Sequence, residues 1–273
     1  MNLLYNIFRI TPKPILRGFF ILVALVFYLT LPKKRKIAET NIKNAIGGNY
    51  KKITLKTYLY FSKMLTDIVK YLGDKDFLTK HVKIKGLENY EYAKSLNKGV
   101  IFTTAHFGNW ELMVCAFAFL VEPISIIARP IDNKSANDLI EKKRTACGNK
   151  LLSSKTENSF TFIKILKKNG TLGILTDQAR RKDTLKIKFF QRDARISEGA
   201  ALFAYKLGTP ILPAYMKENG DTFEIIIEKP IFAKKTENIE DAIKSTMQDI
   251  HRRFEEWIRR EPYKYLWMHN RWK

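Results

Sequence analysis

Val100-Ile101-Phe102-Thr103-Thr104-Ala105-His106-Phe107-Gly108-Asn109-Trp110-Glu111 runs from an apolar stretch straight into a histidine, with an acid five positions later. In a continuous helix, side chains five apart point about 140° away from each other, too far round to meet. The stretch therefore reads as a buried strand over Val100–Thr104, a turn carrying His106, and a new helix capped by Asn109. Glu111 falls in the first turn of that helix, where unpaired N–H groups favour an anion. From there its carboxylate is expected to reach back to one imidazole nitrogen and leave the other to take a proton, the arrangement of a general base with its orienter. Backbone N–H groups near Gly108 and Asn109 are candidate donors to an oxyanion. A histidine at a strand end, taken alone, reads as an ordinary turn residue. The glycine, the capping asparagine and the acid in these places favour the chemical reading.

Outward from this stretch the alternation continues. Short apolar runs at 82–84, 124–128, 171–176, 211–215 and 223–228 read as further strands. Helical spacing recurs at 89–96, 109–121, 135–147, 159–168, 198–207 and 238–260. Strands separated by helices predict an α/β fold with a mixed, largely parallel sheet flanked by helices. Upstream, 37–46 and 51–72 are helical in period and broken by Gly47-Gly48. Residues 1–72 thus form a helical extension with an anchor, and 73–273 one α/β catalytic domain. No internal repeat or low-complexity linker interrupts the chain.

Composition narrows the partners. Of 273 residues, 49 are Lys or Arg against 27 Asp or Glu, a net charge of +22 that favours anionic partners: nucleic acid, acidic proteins or an anionic membrane. The run from Gly18 to Leu31 carries no charge. As a helix it spans about 21 Å, short of a hydrocarbon core of roughly 30 Å unless Ile15, Leu16 and Arg17 extend it. Basic residues precede it and Lys33-Lys34-Arg35-Lys36 follow at once, where a signal peptide would have a small-residue cleavage site. The reading is a helix dipped into, or barely crossing, the cytoplasmic leaflet, with the basic flanks on anionic headgroups. A buried core helix is the soluble alternative. Scattered lysines without a helix-turn-helix, zinc finger or RNP-like aromatic pattern argue against nucleic acid. Cys115 and Cys147 lack metal or C-x-x-C spacing and are expected to be buried and reduced, and the four histidines show no ligand spacing, so no metal is expected.

The segment from His106 to Glu111 resembles the HX4D/E motif of glycerolipid acyltransferases. The fuller string, Thr104 to Glu111, is similar to the lipid A biosynthesis late acyltransferase family (lauroyl/myristoyl transferases). Three further places fit that resemblance. Gly173–Gln178 resembles the family's Asp-Gln strand end, which puts Asp177 in the active-site set. Arg129-Pro130 resembles an Arg-Pro landmark, after which Arg144 stands where the family has a helix arginine; a guanidinium there can hold a phosphate bidentately or pair with Asp177. Phe189-Phe190 resembles an aromatic pair usually followed by glycine, and this chain has Gln191 there. Arg129, Arg180 and Arg192 are candidate headgroup or carrier contacts, as is Arg195. The closing Tyr265-Leu266-Trp267-Met268-His269-Asn270-Arg271-Trp272-Lys273 resembles the family's aromatic end and reads as packing. A later Glu-Gly-Thr-Arg-type phosphate motif of the broader superfamily has only a faint echo at Glu198-Gly199-Ala200-Ala201.

The resemblance implies a membrane-bound O-acyltransferase of lipid A and lipopolysaccharide biosynthesis, on the cytoplasmic face of the inner membrane. His106 would deprotonate a hydroxyl that attacks an acyl thioester, with acyl carrier protein or coenzyme A as co-substrate carrier and no resident cofactor. The acceptor would be a lipid A-type glycolipid; lysophospholipid and phosphatidylinositol mannoside acceptors are alternatives, and a membrane-tethered nucleic-acid or anion binder is the rival of another class.

Overall fold

A computed structural model describes residues 2–130, 133–154, 157–179, 183, 185–234 and 236–272. Four helices open the chain: α1 (Asn2–Ile10), α2 (Lys13–Thr30), α3 (Pro32–Ala45) and α4 (Tyr50–Tyr71). Helices and strands then alternate: α5 (Lys75–His81), β1 (Val82–Lys85), α6 (Leu87–Ser95), β2 (Val100–Thr104), α7 (Trp110–Leu120), β3 (Ser125–Ala128), α8 (Lys134–Ala146) and β4 (Lys150–Ser153). After them come α9 (Ser159–Lys167), β5 (Thr171–Leu175), β6 (Lys186–Phe189) and β7 (Arg192–Arg195). The chain closes with α10 (Gly199–Leu207), β8 (Ile211–Asn219), β9 (Thr222–Ile227) and α11 (Ile239–Arg260).

Seven strands make one sheet in the order β1-β9-β8-β2-β5-β3-β4, parallel except between β8 and β9. Alternate side chains of β2 serve two cores, as a pleated strand buried on both faces requires. Ile101 packs with the core built by α10, α11 and the β6–β7 hairpin, and Val100 and Phe102 with the core under α4 to α7. The expected α/β fold with a largely parallel sheet is what the chain forms.

The sequence reading leaves out α1, α5, β4, β6 and β7. β4 pairs beside β3 at the sheet edge, and β6 and β7 form a separate antiparallel hairpin. All three are strands of four residues, too short to show a period. Lys33-Lys34-Arg35-Lys36, read as a flank, lies in the first turns of α3, which starts at Pro32, the position where a missing N–H costs least. Cys115 and Cys147 are joined in a disulfide, with 5.3 Å between their Cα atoms, which corrects the expectation of two reduced thiols. The docking of α8 on α7 brings the two within bonding reach, which their spacing in sequence does not reveal.

Candidate active site

The carboxyl ends of β2, β5, β3 and β4 lie side by side, the edge at which parallel sheets place their sites. Thr104 of β2 is in register with Leu175 of β5. His106 and Asp177 each stand two residues beyond that pair, so strand register brings them together. The two strand ends are further tied by the Thr176 N–H, which donates to the Thr104 carbonyl at 3.2 Å, and by the Thr103 and Thr176 hydroxyls 2.8 Å apart.

His106 Nδ1 donates to Asp177 Oδ1 at 2.8 Å. Asp177 is fully buried, and the imidazole keeps 22% of its side-chain surface exposed. Burial alone would push the carboxyl up, but the His106 charge and hydrogen bond, with Arg271 behind, hold it down at about 2. For the imidazole, burial works to lower the pKa; the Asp177 charge and hydrogen bond outweigh it, and the net shift is upward. The carboxylate also fixes the tautomer: with the proton on Nδ1, Nε2 is the nitrogen that accepts.

Glu111 lies where the sequence put it, one residue into α7, whose cap is the Asn109 side chain accepting from the Leu112 N–H at 3.2 Å. Its partner is different. Arg144 donates to it bidentately, Nε to Oε2 at 2.8 Å and a terminal nitrogen to Oε1 at 2.5 Å, and the Trp110 indole N–H adds a bond of 3.1 Å. Two expectations are corrected together: Glu111 does not orient the imidazole, and Arg144 pairs with Glu111 rather than Asp177. A guanidinium fork matches both carboxylate oxygens, and its charge is what Glu111 faces across the α7–α8 seam. Burial opposes the charge on Arg144, and Glu111 more than restores it, raising the pKa.

Gly108 and Asn109 are also reassigned. The Gly108 N–H donates to the Lys264 carbonyl at 3.2 Å, so it is not a free oxyanion donor. Gly108 adopts φ +67°, and a Cβ there would stand 2.6 Å from the Met216 carbonyl oxygen, so the turn after His106 admits only glycine without strain. Asn109 is fully buried as a cap and does not line the groove described next.

The His106 ring opens onto a groove of about 710 Å³. Its lining mixes the apolar Ile127, Ala128, Phe162, Ile174, Leu175 and Phe203 with the polar and charged Glu111, Arg129, Arg144, Ser154, Glu157 and Asn158. A narrow apolar slot lined by Phe102, Met113, Val114, Ile126 and Gly173 continues from it, with Glu111 and Arg144 in the wall common to both. Arg192 is elsewhere, its guanidinium 5.8 Å from the Trp272 ring centroid. The Arg195 carbonyl accepts from Arg271 at 2.6 Å. Arg180 lies outside the described residues.

The chain's end contributes what the sequence reading took for packing alone. The Leu266 N–H donates to the His106 carbonyl at 3.0 Å, and Phe107 bridges to Tyr265. Arg271 is buried behind Asp177; besides the Arg195 carbonyl it meets His251 Nε2 at 3.4 Å. Burial and the Arg271 charge hold His251 neutral, its pKa down at about 3. The only sequence signal for Arg271 is a charged residue inside an aromatic terminus.

An α/β sheet carrying a carboxylate-bonded histidine at its carboxyl edge, beside a groove of mixed lining, has the architecture of an enzyme. More particularly, the chain belongs to the bacterial lipid A biosynthesis acyltransferase family, whose family model matches residues 1–273. No curated protein matches the chain. Among solved structures, the crystal structure of the 1-acyl-sn-glycerophosphate (LPA) acyltransferase PlsC from Thermotoga maritima is similar over 89% of this chain and 96% of its own. Its sequence identity is 15% and its TM-score 0.42.

Proposed function

We propose that this acyltransferase moves a fatty acyl chain from an acyl thioester, carried by acyl carrier protein, to a hydroxyl of a lipid A precursor or a related anionic glycolipid. His106 Nε2 takes the hydroxyl proton as the oxygen attacks the thioester carbonyl. The tetrahedral intermediate collapses with loss of the thiolate, which recovers a proton from the imidazolium. Asp177 holds the imidazole in the accepting tautomer and stabilises its positive charge. A base so placed is typically worth about 10²–10⁴ in rate. No acyl-enzyme is required, because a thiolate is already a good leaving group.

The observation that carries this reading is the His106–Asp177 bond beside a groove lined by apolar side chains together with Arg129 and the Glu111–Arg144 pair. The apolar part of the lining suits an acyl chain, and Arg129 suits a phosphate on the acceptor. Glu111 and Arg144 hold one another in the wall between groove and slot. A net charge of +22 supports attraction both to an acidic carrier and to an anionic leaflet. One N-terminal helix, Lys13–Thr30 with a mean hydropathy of 1.7, is long and apolar enough to cross a membrane. We place the enzyme with it on the cytoplasmic face of the inner membrane, where acyl thioesters are made.

Mass spectrometry of membrane lipids from cells with and without the gene tests the proposal. One acyl mass lost from a lipid A species supports it and names both substrates. An unchanged lipid A with an altered phospholipid would transfer the chemistry to a lysophospholipid acceptor. An unchanged lipidome would refute the function.

A further inference from the structure

α7 and α8 meet at the seam that Glu111 and Arg144 bridge, and the two helices are held in different ways. α7 is a core helix, with Leu112, Met113, Ala116 and Phe117 buried in the cluster that packs on the sheet. In α8 none of the described residues is buried, and Leu139 and Ile140 are only half-buried. Burial of an apolar face is what fixes most helices in a protein, and α8 has little of it. Yet Arg144 on this helix forms, with Glu111, the wall common to the groove and the slot. The shape of the site thus depends on a helix that the core scarcely holds.

The crosslink stands at that weak point. Cys115 follows Glu111 by four positions on α7, so the two share one face, a turn apart. Cys147 comes directly after α8, three positions past Arg144. The disulfide therefore joins the helices one turn from the Glu111–Arg144 pair. The chain beyond has its own anchor: the Asn149 side chain accepts from the Ile124 N–H at 3.0 Å and donates to the Val114 carbonyl at 3.1 Å. Among these ties the disulfide is the one that chemistry can undo. With it open, sparse burial makes local detachment of α8 a low-cost motion. The proposed function sets the domain on the cytoplasmic face, where thiol pools keep cysteines reduced and a protein disulfide is as a rule transient or redox-sensing. The state of this bond then follows the surrounding thiol poise.

We propose that Cys115 and Cys147 are a redox-dependent positioning pair for Arg144. As a disulfide they clamp α8 onto α7 and fix the wall between groove and slot; as thiols they release α8 and loosen the space for the acyl chain. The oxidant is a glutathione-type disulfide. The two protein thiols give up two protons and two electrons as the bond between their sulfurs forms, and the small disulfide leaves as two thiols. The inference rests on the proposed function for its substrate and on the fold for the clamp.

The full-length chain, equilibrated with oxidised or reduced glutathione, tests this. Alkylation under denaturing conditions and mass spectrometry read the state of the two cysteines. Hydrogen exchange of the α8 amides and acyl transfer from acyl carrier protein are then measured on both forms. Reduction should speed exchange in α8 about tenfold or more while α7 stays protected. It should raise KM for the acyl thioester about fivefold or more and change kcat less. The pair Cys115→Ala and Cys147→Ala should match the reduced parent and ignore the glutathione buffer. Equal KM and equal α8 exchange in the two forms of the parent would overturn the proposal, as would thiols that stay free in oxidised glutathione. A fall in kcat and melting temperature at unchanged KM would reduce the bond to a structural brace and refute positioning. A KM that responds to reductant in the alanine pair would place the effect elsewhere in the chain. Absence of acyl transfer in both forms, with α8 exchange still set by the bond, would refute the proposed function and leave the clamp standing.

Discussion

Replacing Asp177 with Asn leaves the shape of the site and removes one charge, so it isolates what the carboxylate does for His106. Two unit charges about 4 Å apart attract by roughly 4 kcal/mol at an effective dielectric of about 20. That attraction, with the 2.8 Å hydrogen bond, is what overcomes burial and raises the imidazole's pKa. The active form in the proposed mechanism is the neutral imidazole, so kcat/KM should rise with pH through the raised pKa. In Asp177→Asn burial is left to act on the ring, and the acid limb of the profile should move to lower pH. The plateau should fall, because a weaker base with an unfixed tautomer loses much of a contribution of about 10²–10⁴ in rate, or about 3–5 kcal/mol of barrier. Glu111→Gln provides the contrast. Glu111 touches Arg144 and not the imidazole, and it ranks behind Asp177 among the groups raising the His106 pKa. It should therefore lower activity while moving the acid limb far less than Asp177→Asn does. The assay is acyl transfer from a radiolabelled acyl carrier protein across pH 5 to 9. A larger displacement of the limb in Glu111→Gln than in Asp177→Asn would refute the assignment of Asp177 as the orienter.

Gly108→Ala should inactivate the enzyme, because the new Cβ meets the Met216 carbonyl at 2.6 Å and forces the His106 turn to move; a crystal structure or acyl-transfer rate at unchanged melting temperature checks it. Gln191→Gly should stabilise the protein by about 1 kcal/mol in urea unfolding, since Phe190 and Gln191 hold φ values of +49° and +62° in the β6–β7 turn, a conformation that disfavours side chains. Arg271→Met should make the protein more acid-labile. The depressed Asp177 pKa contributes stability that is complete above its usual value of 3.8 and lost as pH falls through about 2. Without Arg271 the folded pKa rises, less of that stability exists, and the acid-unfolding midpoint measured by circular dichroism should move to higher pH.

What could be read in the sequence was local. The buried run into His106, the Asn109 cap and the first-turn position of Glu111 follow from periodicity and capping rules that act over a few residues, and the structure keeps all three. The partner of His106 is set instead by the register of β2 against β5, between residues 71 positions apart in the chain. No spacing rule reports that register. Glu111 was the nearest acid in sequence, but the bidentate demand of Arg144, 33 positions away, takes its carboxylate. The β6–β7 hairpin escaped because its turn lacks the Gly or Asn that usually marks positive φ, with Gln191 in the position. Arg271 was obscured by its aromatic neighbours, whose bulk accounts for the packing and hides the charge placed behind Asp177.

The account stands on proton removal by His106. The most direct measurement is single-turnover acyl transfer by purified His106→Ala beside the parent, with both proteins matched for melting temperature and vesicle binding. A fall of at least 10²-fold is predicted for a lost general base. Transfer within a few-fold of the parent rate would contradict it.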